Sequence, residues 1–466
     1  MDRMNAMYSQ LKVTAAILLL LAAAGCAGSG RQPGLPEPSA LGSGFSSYQA
    51  GSGQAAGDAT GDIEHVEVLT LGDALSRSLM RNPELRAYSW KVRAAGARAL
   101  QASLWSNPEL GVEFDELGGR GELSGFEGSE VKFLLSHRFE LGGQRRKRAE
   151  AASLEGESAA WGYEAKRLDV YTGVVRKFAE VLAAQEYVEL TGELLAVAEE
   201  MAGSVAGRVR AGRDAPLEKT RAQIVLSNMN IRHNAAKREL ELARKRLSAM
   251  WAGRECRFET ASGNLEDLAP VPPVEDLLPL LEDNPEIVRA GLEYDRRKAL
   301  LNLENALPVP DITVSGGMKR FNGRDIDLWV LGVAIPIPIF DRNQGGRIAA
   351  AGELERSREE LEAVRMRVRL KFEEARSILS RTYIEAVELR ENLLAGAEKV
   401  YEASRKSYRR GKTDYLNVLD AQRTMFEIRK RYIDVLAEYH SARSDLERIT
   451  GKPIGKDIII RDGGRR

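Results

Sequence analysis

The chain reads as a mainly helical protein with a small share of membrane-type β structure, built twice from one pattern. Three observations predict this. Landmarks recur in the same order in the two halves of the sequence. Each half holds a proline-free stretch long enough for a helix several times the usual length. Short segments of alternating polarity sit just ahead of each such stretch, paired across Gly-rich loops in the manner of outer-membrane strands.

The duplication is the firmest of these. Asn82-Pro83-Glu84 recurs as Asn284-Pro285-Glu286, and Pro108 with Pro310 and Arg145 with Arg347 keep the same offset. Further on, AGRDAPLEKTRAQ (Ala211 to Gln223) parallels RGKTDYLNVLDAQ (Arg410 to Gln422). Gly212 is set against Gly411 there, Leu217 against Leu416 and Gln223 against Gln422. Residues 66–269 and 270–452 therefore form two repeats, joined by the Pro-rich segment Pro270 to Pro279, with residues 453–466 as a tail.

Ahead of the repeats, residues 1–25 have the layout of an export signal: Arg3 and Lys12, then a short apolar run from Val13 to Ala24. That run is too short for a bilayer, which takes about 20 apolar residues. Ala23-Ala24-Gly25-Cys26 resembles a bacterial lipobox, with Ala23 where leucine is typical, and would make Cys26 the acylated first residue. The alternative is an ordinary signal with an incidental cysteine. Residues 26–65 are rich in Gly, Ser, Ala and Pro, a flexible lipidated tether. Ala27 lacks the aspartate that favours inner-membrane retention in such lipoproteins.

Composition excludes several classes. With the signal removed Cys256 stands alone, so no intramolecular disulfide is available. The 68 basic and 68 acidic residues cancel, which argues against a nucleic-acid partner. Charged residues make up 29% and aromatics only 6%, a balance that suits long solvated helices better than a compact enzyme. No run of about 18 apolar residues follows the signal, so no transmembrane helix is expected.

Each repeat begins with a helix, about Asp73 to Trp105 and about Glu275 to Ala306. Two strands follow. In the first repeat Leu110, Val112 and Phe114 alternate with Gly111, Glu113 and Asp115, and Val131, Phe133, Leu135 and Phe139 oppose Lys132, Ser136 and Arg138. In the second, Ile312, Val314 and Met318 oppose Thr313, Ser315 and Gly317, while Leu328 to Ile335 is apolar on both faces and leaves its orientation open. A small soluble sheet over a helix is the alternative to membrane strands. Four strands cannot close a barrel alone, since single-chain barrels start at about 8, so several copies would contribute to one.

The strands feed very long helices, about Gln144 to Ala211 and about Gln344 to Arg410, through stiff turns. Gly142 and Gly143 mark the first turn; Pro336, Pro338, Gly345 and Gly346 mark the second, within LWVLGVAIPIPIFDRNQGG. These six are candidate hinges between barrel and helical tube. A helix of that class spans on the order of 100 Å at ~1.5 Å per residue and needs a partner along its length. The closing helices, about Leu217 to Ala252 and about Tyr415 to Thr450, supply one. With Val418 at position a, every a and d position through Ile449 is apolar or aromatic, and Leu419, Phe426 and Ile433 add a second row. Two adjacent seams mean packing on two sides, as in a wall.

The chain resembles the TolC-like outer-membrane efflux factors, and within them the CzcC-type branch associated with heavy-metal export. The carriers are the duplication, PIPIFDRNQGG with Arg347, FELGGQRRKR, and the stretch GKTDYLNVLDAQRTMFEIRKRYIDVLAEYHSARSDLERITG. The resemblance covers about Leu71 to Gly451. It implies a homotrimer with a 12-stranded barrel, four strands per chain, in outer-membrane lipid, continued by an α-helical tunnel in the periplasm. It implies as partners a periplasmic adaptor and an inner-membrane RND pump, with drug efflux or protein secretion as alternative duties of the same shape. The tips Gly212, Arg213, Leu217, Gly411, Lys412 and Leu416 fall where adaptors dock. Asp420 and Asn417 fall at the periplasmic gate, Asn417 on a position that is aspartate in the prototype, and Tyr408 matches a gate tyrosine. Thr413 stands where an arginine ties the prototype shut, with Lys412 beside it.

Other chemistry is weak. His65, His137, His233 and His440 are scattered without metal-ligand spacing, so neither a metal site nor a cofactor is expected. The basic run Gln144 to Arg148 lacks the P-loop pattern and reads as an anchor to neighbouring chains or headgroups. No nucleophile–base pair emerges, and an enzyme is not expected. A membrane-tethered coiled-coil scaffold without a pore is the rival from a different class; alternating strands in both repeats speak against it. Asp420, Glu427 and Asp434 recur at position c, an acidic stripe that three-fold symmetry would turn into carboxylate rings.

Overall fold

A computed structural model describes residues 66–116, 129–253, 257–321 and 326–454. Cys26, the signal, the tether before Val66 and the tail beyond Ile454 lie outside the described residues. The repeat order is as expected, with differences at the joints.

The first helix of each repeat is broken. Helices α1 (Leu71–Arg81) and α2 (Pro83–Ser103) replace the single helix expected. In the second repeat a helical turn (Val274–Leu277) and a 3-10 segment (Leu278–Asp283) precede α5 (Pro285–Glu304). The cause is the Asn-Pro-Glu motif. Asn82 and Asn284 are extended (ψ 122 and 128), as a residue before proline prefers, and proline then starts the next helix without needing a donor. Asn82 Oδ1 accepts from the Glu84 and Leu85 amides, and its Nδ2 donates to the Met250 carbonyl at 2.8 Å. Asn284 does the same with the Glu286 amide and the Ile449 carbonyl, both at 2.9 Å. Each asparagine thus caps one helix and ties it to the end of its repeat.

The remaining helices are α3 (Gln144–Arg210), α4 (Pro216–Ser248), α6 (Gln344–Glu388), α7 (Leu394–Arg409) and α8 (Tyr415–Thr450). A π-helical turn, Leu389–Leu393, divides the second long helix into α6 and α7, whereas α3 is uninterrupted. Every predicted a and d position of α8 is buried except Ile428, which is half-buried. The second row is mixed: Phe426 is buried, Leu419 and Ile433 half-buried.

By contacts the described chain forms two compact units. One comprises residues 92–159 and 291–360. It holds an antiparallel sheet in the order β2 (Glu109–Asp115), β3 (Glu130–Phe139), β5 (Ile312–Phe321), β6 (Ile326–Ala334). The register sets Val112, Phe133, Met318 and Trp329 in one rung and Leu110, Leu135, Gly316 and Leu331 in the next. This settles the orientation of β6: Trp329, Leu331 and Val333 share the apolar face. Opposite them Lys132 pairs with Asp115 and Glu113, and Lys319 with Glu130.

The other unit takes the rest of the described chain and most of the helical packing. One apolar cluster joins α3, α7 and α8 around Val205, Tyr408 and Val418; a second joins α6 and α8 around Phe372, Leu379 and Leu446. It also contains a parallel pair that the sequence did not suggest, β1 (Val66–Thr70) with β4 (Phe258–Ser262). The Gln185 side chain bonds both backbone groups of Ala261, donating to its carbonyl and accepting from its amide, and so occupies part of the β4 edge.

Because Asn284 makes two bonds inside the protein, Asn284→Ala should cost ~1–3 kcal/mol. Asn284→Asp, which keeps the capping oxygen but sets a buried carboxylate against the Ile449 carbonyl, should cost at least as much. Denaturation midpoints in detergent measure both; a wild-type midpoint for Asn284→Ala would mean that the tie carries no weight.

Candidate functional site

The hairpin tips are built alike. In each, a glycine with positive φ (Gly212, +68; Gly411, +71) ends the incoming helix. The next amide reaches back, Arg213 to the Arg208 carbonyl and Lys412 to the Ser407 carbonyl. That is the Schellman pattern, which a residue with a Cβ adopts only with strain. Gly212, Arg213, Leu217, Gly411, Lys412 and Leu416 are all exposed.

Between the two tips lies a cluster that the sequence only half revealed. Asp214 accepts from Arg208 Nε and Nη2, both at 2.9 Å, and from the Tyr408 hydroxyl at 2.8 Å. Arg208 Nη1 donates to the Tyr408 carbonyl at 3.3 Å, and its guanidinium lies 4.8 Å from the Tyr408 ring centre. The tyrosine is buried, with Tyr415 at 5.6 Å between ring centres. The bidentate arginine, with the phenol, holds the Asp214 carboxyl below the usual range. Burial, and then the adjacent carboxylate, push the Tyr408 phenol well above its usual value. Arg208 and Asp214 were missed; their only signal was an acid–base pair straddling the Gly212 turn.

Tyr408 therefore points away from the other two gate candidates. Asn417 and Asp420 are exposed, and both line a groove of about 550 Å³ between α7 and α8, with Thr413, Val400 and Thr424. The Thr413 hydroxyl is buried without a hydrogen-bond partner among the described residues. The acidic stripe is unequal. Glu427 is bridged by Arg423 at 2.9 Å and Asp434 by Lys430 at 2.6 Å, whereas Asp420 forms no salt bridge among the described residues.

The hinge candidates divide as well. Gly143 (φ +67) makes the turn into α3, and a Cβ on Gly142 would stand 2.7 Å from the Ala306 carbonyl. In the second repeat Asn343 takes the positive φ (56), and Gly345 and Gly346 already lie in the first turn of α6. The two glycine pairs are thus not equivalent. Pro336 and Pro338 lie in the irregular segment between β6 and α6, beside exposed Ile337 and Phe340. Arg145 and Arg347 are equivalent in use: each reaches back to the end of the preceding helix, to the Ser103 carbonyl and to Asn305 Oδ1.

The described histidines keep to separate places, His137 against Phe139, His233 on Thr191 and His440 on the Leu265 carbonyl. Burial pushes His440 down to about 4. No group of three or more His, Cys, Asp or Glu among the described residues could hold a metal ion.

The family model of the outer membrane efflux protein matches residues 74–253 and 279–452. The cobalt-zinc-cadmium resistance protein CzcC of Cupriavidus metallidurans is 34% identical over 82% of this chain and 90% of its own length. The nickel-cobalt-cadmium resistance protein NccC of Alcaligenes xylosoxydans is 27% identical over 66% of this chain and 70% of its own. Among solved structures, CusC superposes with a TM-score of 0.72 at 20% identity, covering 82% of this chain and 92% of that one. The CmeC channel of Campylobacter jejuni gives 0.71 at 16%, covering 82% and 85%. The fold is that of these outer-membrane channels, duplicated and mainly helical. Two matched segments, one in each repeat and together spanning most of the chain, place this protein in the outer membrane efflux protein family.

Proposed function

We propose that this chain is the outer-membrane channel of a tripartite RND-type system, passing heavy-metal cations outward from a pump and a periplasmic adaptor. Three chains would close one 12-stranded barrel, with Cys26 acylated as a lipid anchor and the paired tips meeting the adaptor. The observation that supports this best is the two-faced sheet in a chain of this family: apolar side chains on one face, Lys–carboxylate pairs on the other. The metal cargo rests on the names of CzcC and NccC, and no caged site is needed, since a channel wall need not bind what passes. Deleting the gene from its host should lower tolerance to cobalt, zinc or cadmium. Lost tolerance to drugs, with metal tolerance unchanged, would reassign the cargo. Intact mass of the mature chain tests the anchor; a chain that begins elsewhere or carries no lipid removes it.

In this reading the Arg208–Asp214–Tyr408 cluster holds the two hairpins of one protomer together at the closed entrance. Tyr408→Phe removes one bond to a carboxylate, of about 1.5–3 kcal/mol, and should raise conductance in planar bilayers. Asp214→Asn should raise it further. The pH dependence follows from the lowered carboxyl: the clamp is complete above the ordinary carboxylate range and is lost only as pH falls through Asp214's depressed value. Conductance should thus not rise between pH 7 and pH 5. Opening within that window would show that another group closes the channel.

Asp420, the one unbridged member of the stripe, should be where multivalent cations act. Trivalent cations on the periplasmic side should block conductance, and Asp420→Ala should weaken the block more than Asp434→Ala. Equal block in wild type and Asp420→Ala would mean that the stripe faces outward or that the entrance lies elsewhere.

A further inference from the structure

A run of large apolar side chains stays bare just beyond the sheet. β6 ends at Ala334, and the irregular segment after it carries Ile335, Ile337, Ile339 and Phe340 before α6 begins at Gln344. Ile337, Ile339 and Phe340 are 79%, 60% and 90% exposed, and Ile348, one turn into α6, is 74% exposed. An apolar cluster of this kind marks a contact with lipid or with a partner.

The sheet beside it is too short for a membrane. Its apolar face is closed at the far end by charge, with Arg320 set against Asp327 in the register. Below that pair, the face runs on β5 from Met318 to Ile312. That stretch spans about 20 Å along the strand, and about 15 Å in height at a tilt of ~40°. An outer-membrane barrel carries an apolar band about 25 Å tall. About 10 Å is missing, at the end where Ile335 to Phe340 follow.

The backbone of the segment suits a medium that penalises bare amides. Pro336 and Pro338 have none. The Ile339 amide donates to the Ile337 carbonyl at 2.9 Å. The Arg342 amide donates to Gln344 Oε1 and the Asn343 amide to Asp341 Oδ1, both at 2.8 Å. Polar groups of the turn thus serve one another, and the apolar side chains are left outside.

Cations stand where the apolar run stops. Arg342 is exposed and forms no salt bridge among the described residues. In the first repeat β3 ends level with β6, since Phe139 pairs with Ile312 and Ala334 with Thr313. Just past it, Arg146 and Lys147 also lack a salt bridge among the described residues. Half-exposed Trp105 stands there too, its ring centre 4.3 Å from the Arg145 guanidinium. Aromatic rings with cations beside them are the composition of a membrane–water boundary.

We propose that Ile335 to Phe340 form a wedge in the periplasm-facing leaflet of the outer membrane, with Arg342, Arg146 and Lys147 on anionic phospholipid headgroups. Continuity with the sheet's apolar face, and cations at its end, select lipid rather than a second copy of the chain. The wedge completes the apolar band and fixes how deep the barrel sits.

The inference rests on the channel reading, and one labelling series separates the two. In a Cys256→Ser background the full chain carries Ile337→Cys, Phe340→Cys, Leu331→Cys or Glu359→Cys, each labelled with bimane. Vesicles contain phosphatidylethanolamine and phosphatidylglycerol, and the background chain subtracts label at other sites. Lipid with a doxyl group near its headgroup should quench the Ile337→Cys and Phe340→Cys labels more than aqueous iodide does, and the exposed Glu359→Cys label less. Doxyl-phosphatidylglycerol should quench Phe340→Cys about two-fold more than doxyl-phosphatidylcholine, and Arg342→Gln should bring that ratio to about one. Labels at Ile337 and Phe340 reached by iodide put the segment in water, and labels reached by neither quencher put it under a neighbouring copy. Either result overturns the wedge and leaves the channel standing. Equal quenching by the two lipids overturns the headgroup contact. A Leu331→Cys label that lipid does not reach overturns the channel reading as well.

Discussion

An unpaired strand edge is intolerable in hydrocarbon, and much of this molecule follows from that. The four-stranded sheet ends in β2 on one side and β6 on the other, each hydrogen-bonded to a single neighbour. Each backbone group left without a partner in lipid costs several kcal/mol, on the order of 4–8 for transfer to an apolar solvent. Several such groups along an edge exceed the whole stability of an ordinary domain, about 5–15 kcal/mol. A sheet of this width in an outer membrane is thus half of a contact, and copies of the chain must supply the rest.

The helices obey a milder form of the same rule. A long helix in water is held by apolar burial on its flanks rather than by its propensity. The inner flank is satisfied within the protomer, where the predicted seam of α8 from Val418 to Ile449 is buried except at half-buried Ile428. The outer flank is where Leu217, Ile224 and Ile231 remain bare. Ion pairs between helices, such as Arg429 with Glu193 and Glu398, fix relative rotation more than they add stability, because partly exposed pairs contribute about 0–1 kcal/mol.

What the sequence showed well was periodic. The α8 heptads and the alternation in β3 are local patterns repeated many times; burial bears out the α8 seam, and the strand register keeps the β3 alternation on two faces. What it hid was local chemistry overruling the pattern. The single helix expected from Asp73 to Trp105 is two, because the Asn-Pro pair breaks the chain at Asn82 and uses the asparagine twice. The β1–β4 pair escaped because each strand has five residues and its partner lies in a distant part of the repeat. The π-helical turn at Leu389 to Leu393 carries no composition signal at all. At the tips, a glycine marked each turn, but the Asp214 contacts join side chains from both repeats and could be seen only once the hairpins were side by side.

The tips show how a duplicated chain becomes asymmetric where function needs it. Both use one Schellman turn, so their backbones are interchangeable; their side chains are not. The first repeat places Asp214 after its glycine and Arg208 before it, so the acid is satisfied inside the protomer. The second places Thr413 and Asp414 there, and its acid at Asp420 faces outward on a groove. A charge satisfied by its own chain holds the protomer's hairpins together whatever lies beside them. A charge left facing out responds to neighbours, ions and partners. On the proposed reading, closure by the first and sensing by the second can be separated, and a partner at the tips would have to displace Tyr408's bond to Asp214 and the Arg208 bond to the Tyr408 carbonyl, each weaker than the bidentate arginine pair beside them.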